Sequence, residues 1–273
     1  MKISPRQSLI FFLSVVLAWP VSSEARRRDK ASKRYDVVEL AQREPDRLVE
    51  KPERHMMAAV VKAHPGVSNS YAHVSKEGID VSHYQGKINW DAVAGDGKIS
   101  YAYLKATEGA TLVDDTYARN LSEAKRVGLK VGSYHFYRPN TDWRKQLENL
   151  SSVVKPGEQD LLPIIDIEHR GKGSEEMFLK NLRDFITQVT KIYGKKPLLY
   201  TFHNFYNRHL AGEFKDYKWM IARYRDDEPT LDDGKDYVIW QYTASGRIAG
   251  VDGNVDRSRL MGEYDLGDIL LHH

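Results

Sequence analysis

Two carboxylates stand two positions apart, Asp166 and Glu168, at the end of the apolar run Leu161-Leu162-Pro163-Ile164-Ile165. Alternate residues of a strand share a face, so both acids leave such a strand on one side. Two acids that close cannot both ionise easily, and one of them should hold its proton to higher pH. That division yields one carboxylate and one acid, the pair that glycosidic cleavage needs. A purely structural reading competes with it, in which Asp166 caps the next helix and Glu168 pairs with Arg170.

The rest of the chain favours the chemical reading. Short β-branched or aromatic runs recur at 78–82, 99–107, 130–137, 161–168, 197–202, 219–224, 237–242 and around 251–256. Functional groups of α/β barrels sit at the C-terminal ends of such strands. Those ends carry Asp80, then Lys105 with Glu108, His135 with Tyr137, Asp166 with Glu168, Tyr200, and Arg223 with Tyr224. The last two carry Trp240-Gln241-Tyr242 and the acids Asp252 and Asp256. Acids and aromatics thus converge on one mouth, which suits a carbohydrate: its CH faces stack on rings while its hydroxyls hydrogen-bond. Tyr84, Tyr137, Tyr200 and Trp240 are candidate sugar platforms, with Tyr137 and Trp240 foremost; each also has a reading as a core aromatic.

The elements that must position these groups follow from periodicity. Thr116–Val127 has helical spacing and stops at Gly128, and Trp143–Val154 stops before Pro156. Ser174 can cap a helix with the stripe Met177, Leu182, Phe185, Val189 and Ile192, ended by Gly194. Strands alternating with helices imply βα units and a parallel sheet. Eight strands with short final connections predict an irregular α/β barrel, with about five βα units and a strand-rich close. An open doubly wound sheet is the alternative, weakened by the lack of a G-x-G-x-x-G after the first strand.

Outside this domain the N-terminus reads as an export signal. Lys2 and Arg6 precede an apolar run from Leu9 to Val21, which ends at Ser22-Ser23-Glu24-Ala25. The run is shorter than the roughly 20 residues a bilayer span needs, so residues 1–25 are expected to be cleaved and no stable membrane insertion is expected. Residues 26–77 are polar, charged and broken by Pro45, Pro52 and Pro65, which describes a largely disordered linker. The catalytic domain is expected over 78–273. Residues 1–77 carry 14 Lys/Arg and 9 Asp/Glu, whereas the remainder carries 27 and 29. The basic run Arg26–Arg34 lacks interleaved aromatics, so no nucleic-acid partner is expected.

With no cysteine in the chain, disulfides, thiolate metal sites and cysteine nucleophiles are excluded. A secreted domain without disulfides needs a sizeable core. The ten histidines show no metal-binding spacing, and no G-x-S-x-G elbow is present. No metal or cofactor is expected, and a monomer is.

The motifs now resemble a known family. Gly78-Ile79-Asp80-Val81-Ser82-His83-Tyr84-Gln85-Gly86 with Ile88-Asn89-Trp90 is similar to the opening of glycoside hydrolase family 25, the Chalaropsis-type lysozymes. Residues 103–109, 131–137, the Asp166-Ile167-Glu168 strand, Trp240-Gln241-Tyr242 and 250–256 follow in the family's order, so that the resemblance spans about 78–262. It implies a β-1,4-N-acetylmuramidase on a flattened barrel, acting on peptidoglycan glycan strands. Glu168 matches the family's general acid/base, Asp166 its neighbour, and Asp80 and Asp256 the acids of the first and last strands. The resemblance implies a retaining route assisted by the substrate's 2-acetamido group, with direct attack by Asp166 or an inverting route as the alternatives. Tyr137, Trp240, Tyr84, His135, Tyr200, Glu108, Gln241 and Asp252 are expected to line the sugar site. A barrel that binds wall without cutting it, and a glycosidase for another acetamido-sugar polymer, are the alternatives. Arg257-Ser258-Arg259 departs from the family pattern and predicts a more basic floor beside Asp256.

Overall fold

The strand runs condense into a closed ring. The computed structural model describes residues 75–272; the expected export signal and nearly all of the linker lie outside the described residues. β1 (Glu77–Val81), β2 (Ile99–Glu108), β4 (Lys130–Phe136), β5 (Ile164–Asp166), β6 (Leu198–Phe202), β7 (Trp219–Ala222) and β8 (Ile239–Gly246) pair in parallel, each with the next. β9 (Val255–Leu260) runs antiparallel between β8 and β1 and closes the barrel at eight strands. The two-residue β3 (Leu112–Val113) is an antiparallel appendage on the end of β2.

Parallel neighbours require crossovers, and helices supply most of them. They are α1 (Trp90–Gly95), α2 (Tyr117–Arg126), α3 (Trp143–Val153) and α4 (Glu175–Tyr193). A helical turn at His203–Phe205, continued as a π turn at Tyr206–Leu210, leads from β6 to β7. The chain then reaches β8 through loop 223–238, which holds no helix. About five helical crossovers and a strand-rich close is the architecture the spacing predicts.

Two details differ from expectation. The final strand begins four residues later than expected and runs backwards, because the connection from β8 is too short to carry a crossover and must return as a hairpin. On α4 the buried stripe is Phe178, Leu182, Phe185, Ile186, Val189 and Tyr193, while Met177 and Ile192 are exposed. The helix is rotated about one residue from the expected stripe. Its ends are as expected: the Ser174 side chain accepts from the Met177 amide, and Gly194 takes the left-handed conformation at φ 75°.

Strand alternation sorts the barrel interior from the layer beneath the helices. Gly78 and Asp80 of β1 pair with Tyr101 and Tyr103 of β2, and with Ser258 and Asp256 of β9. Tyr101 Oη lies 3.1 Å from Ser258 Oγ across the lumen. Large interior tyrosines are accommodated by missing side chains opposite. A Cβ on Gly78 would lie 2.1 Å from the Tyr101 ring, and one on Gly132 would lie 2.3 Å from the Tyr103 ring. Ile165 and Ile167, on the opposite face of β5 from Asp166, are fully buried.

Candidate active site

The interior positions at the strand ends form a ring of acids and phenols. Phe136, Asp166 and Tyr200 are register partners on β4, β5 and β6. Asp80 faces Asp256 across the β1–β9 pairing. β9 enters from the opposite direction, so its first residues reach the same rim as the last residues of the parallel strands. Asp252 instead lies exposed in the turn before β9, and Asp256 is the acid set opposite Asp80. Asp166 and Asp80 are buried. Glu168 lies two residues beyond Asp166, just past β5, and is half-buried. The Ile167 amide still bonds to the Tyr200 carbonyl at 2.9 Å, which carries the strand alternation through to Glu168. Asp166 does not cap α4, since Ser174 does.

The buried Tyr200 phenol gathers these groups. Burial, then Tyr224 and the charges of Glu168, Asp166 and Asp256, push it well above the usual phenol range. Its hydroxyl donates to Gln241 Oε1 at 2.9 Å; the Tyr224 hydroxyl donates to the same oxygen at 2.7 Å. Gln241 Nε2 donates to Asp80 Oδ2 at 2.9 Å. Tyr101 and Tyr103 sit beneath Asp80; burial first, and then its charge, raise both phenols.

One wall of the mouth is a compact ion cluster. The Lys105 ammonium donates to Glu108 Oε2 at 2.6 Å, and Arg138 donates through Nε and Nη2 to Glu108 Oε1. Burial works to raise the Glu108 carboxyl, but the two cations outweigh it and hold it below the usual range. The Arg138 guanidinium stacks 4.4 Å from the Phe136 ring centroid and meets His169 Nε2 at 3.1 Å. On the β1 side, Asp114 accepts from His83 Nδ1 at 2.7 Å, from the His83 amide, and from the Thr116 amide and hydroxyl. Burial opposes ionisation of Asp114, yet these bonds win and lower it to about 2. They seat His83 beside Tyr84, whose ring is 39% exposed and lies 4.1 Å away.

Several expected sugar contacts are elsewhere. Tyr137 is 1% exposed, with its ring 5.3 Å from Phe185 of α4. His135 is fully buried against the same Phe185, with Nδ1 on the Thr107 hydroxyl and Nε2 on Gln146 Oε1. Trp240 is 2% exposed, donates to the Arg223 carbonyl, and is covered by the Arg259 guanidinium. The cause is common to all three: Phe136 and Gln241 occupy the interior, so their sequence neighbours must point outward. The expected basic floor fails for the same reason. Asp256 and Ser258 face in, whereas Arg257 and Arg259 lie over Tyr242 on the outer face. Tyr200 and Gln241 are at the rim but bonded to each other, and Glu108 is engaged by its two cations. Of the expected platforms, Tyr84 alone presents an open ring. Arg138, His169 and Asp114 escaped sequence reasoning, although the first two directly follow strand-end residues that it singled out. Among the described residues no group of three or more His, Asp or Glu is placed to hold a metal.

An α/β barrel with a ring of carboxylates and phenols at the C-terminal mouth of its parallel strands has the acids that glycosidic cleavage uses. The glycosyl hydrolases family 25 model matches residues 79–251. The chain is 34% identical over 200 residues to Lysozyme M1 of Streptomyces globisporus, covering 68% of each protein. It is 36% identical over 183 residues to the protein YegX of Escherichia coli K12, covering 66% of this chain and 67% of that one. The crystal structure of the bacterial lysozyme from Streptomyces coelicolor superposes with a TM-score of 0.62 at 31% identity, covering 70% of this chain and 94% of that one. The chain belongs to glycoside hydrolase family 25 and is a glycoside hydrolase of the lysozyme, or muramidase, class.

Proposed function

We propose that this enzyme is exported and cuts the β-1,4 bond between N-acetylmuramic acid and N-acetylglucosamine in peptidoglycan. The observation that carries the reading is the convergence of acids on one rim, with Asp166 beside Tyr200, Glu168 two residues beyond it, and Asp256 on the closing strand. Asp80 lies across the strand pairing from the third. Glu168, the less buried of the β5 pair, is assigned as the proton donor to the leaving oxygen. Asp166 orients and polarises the 2-acetamido group, whose oxygen attacks the anomeric carbon. The glycosyl–oxygen bond breaks as the acetamido oxygen closes on that carbon, and the leaving oxygen takes the Glu168 proton. Water, deprotonated by Glu168, then opens the cyclic intermediate with net retention. Asp80 and Asp256 supply negative charge around the developing cation and hold the sugar. Tyr84 is assigned as a sugar platform at the rim.

Export is read from residues 1–25, with residues 78–273 as the catalytic domain, working as a monomer outside the membrane. No helix among the described residues is long and apolar enough to cross one.

Glu168→Gln should lower turnover by about 100- to 10,000-fold, the range of general acid catalysis, while leaving the unfolding transition in place. Digestion of purified peptidoglycan should leave N-acetylmuramic acid at the new reducing end. An active Glu168→Gln enzyme would reject the role assignment. N-acetylglucosamine at the new end, or binding without cleavage, would reject the substrate bond.

A further inference from the structure

We infer that Gln241 is a positioning residue of the active site, a buried amide that fixes the direction of hydrogen bonding between Asp80 and the phenols Tyr200 and Tyr224. The inference rests on the reading of Asp80 as part of the catalytic surroundings. Gln241 lies on the interior face of β8 and is buried. Its side chain joins three other segments of the rim: β1 through Asp80, β6 through Tyr200, and the chain just after β7 through Tyr224.

With Asp80 ionised, this junction has one polarity. An ionised carboxylate only accepts hydrogen bonds, so the amide nitrogen must face Asp80 and the amide oxygen must face the phenols. Each phenol carries a single proton, and both protons are directed at Gln241 Oε1. The Tyr200 proton is thereby directed at Gln241 instead of at Asp166, Glu168 or Asp256. A phenol donating to one of those acids would stabilise the ionised form and weaken the acid as an acceptor for substrate. Asp80 meanwhile receives a neutral donor, which favours its charge without cancelling it, as a lysine or arginine would. Gln241 of β8, Asp256 of β9, and the phenols Tyr101 and Tyr103 of β2 all face Asp80. The amide is thus a neutral junction that donates to Asp80 while drawing the Tyr200 proton to its own oxygen instead of to a reacting carboxylate.

Two variants test this on the full chain with soluble peptidoglycan fragments. Gln241→Met removes both polarities; kcat should fall about 10- to 100-fold, the usual cost of losing an orienting partner, with KM changed less than about 3-fold. Gln241→Glu keeps the shape but sets a carboxylate against Asp80. Like charge disfavours ionisation, so the acid limb of the kcat/KM profile should move up by about one pH unit. Wild-type kcat in Gln241→Met, or an unmoved acid limb in a folded Gln241→Glu, overturns the inference. So does loss of cooperative unfolding in both variants, since the amide would then serve stability alone. An active Glu168→Gln enzyme would instead overturn the role assignments on which this inference stands, so the two failures are told apart.

Discussion

His135 is held neutral by its surroundings: burial lowers its imidazole to about 4, against a smaller opposing pull from Gln146 and Glu108. An unfolded histidine titrates near about 6.5, so the unfolded chain takes up this proton more readily. The contribution to stability is complete above about pH 6.5 and is lost as pH falls towards 4. A shift of that size corresponds to about 3 kcal/mol as an order of magnitude. Chemical denaturation from pH 7 to 4 should show the wild type losing more stability than His135→Gln by about that amount; equal slopes would refute it. Tyr137 offers a second test. With its ring against Phe185, Tyr137→Phe should leave kcat/KM within about 2-fold, whereas a residue stacked on substrate would cost more. These two residues also mark where sequence reading stopped. Asp166 and Glu168 were legible because two charges closing an apolar run are costly to place there unless chemistry needs them. His135 and Tyr137 were not, because the rule that strand ends carry function does not say which of two alternating faces looks into the barrel. That is settled by Phe136, whose register with Asp166 is a pairing between strands.

At the scale of elements, β1 and β4 are built around absence. Gly132→Ala would drive a methyl into the Tyr103 ring, and the ring is fully buried with little room to yield. Overpacking of this kind costs about 1–3 kcal/mol, and thermal unfolding of the variant should reveal it. Ser174→Ala removes the bond to the Met177 amide and should cost about 1 kcal/mol, with activity unchanged because the cap lies at the start of α4. The helices were well marked in the sequence, since caps and stop signals are local chemistry: Ser174, Gly194, Gly128 and Pro156 act on their own neighbours. The face of α4 was marked less well. Met177 and Ile192 are apolar residues left on the surface, and only packing against the barrel distinguishes them from Phe178 and Tyr193. The reversal of β9 was hidden for a related reason, because a strand's direction depends on the length of the connection before it.

At the scale of the molecule, the barrel exists only when β9 slots between β8 and β1. A chain ending at residue 254 would lack Asp256 and leave two strand edges bare, and it should show neither cooperative unfolding nor activity. The β9–β1 closure is fastened by contacts such as Arg257 to Glu77, 180 residues apart. Contacts so distant along the chain make folding slow, because loop closure must precede their reward. The first strand finds β2 early but waits some 180 residues for its second neighbour, β9. Under the proposed export, the ring of acids would be completed only once β9 had crossed, because Asp256 reaches the rim through its pairing with β1.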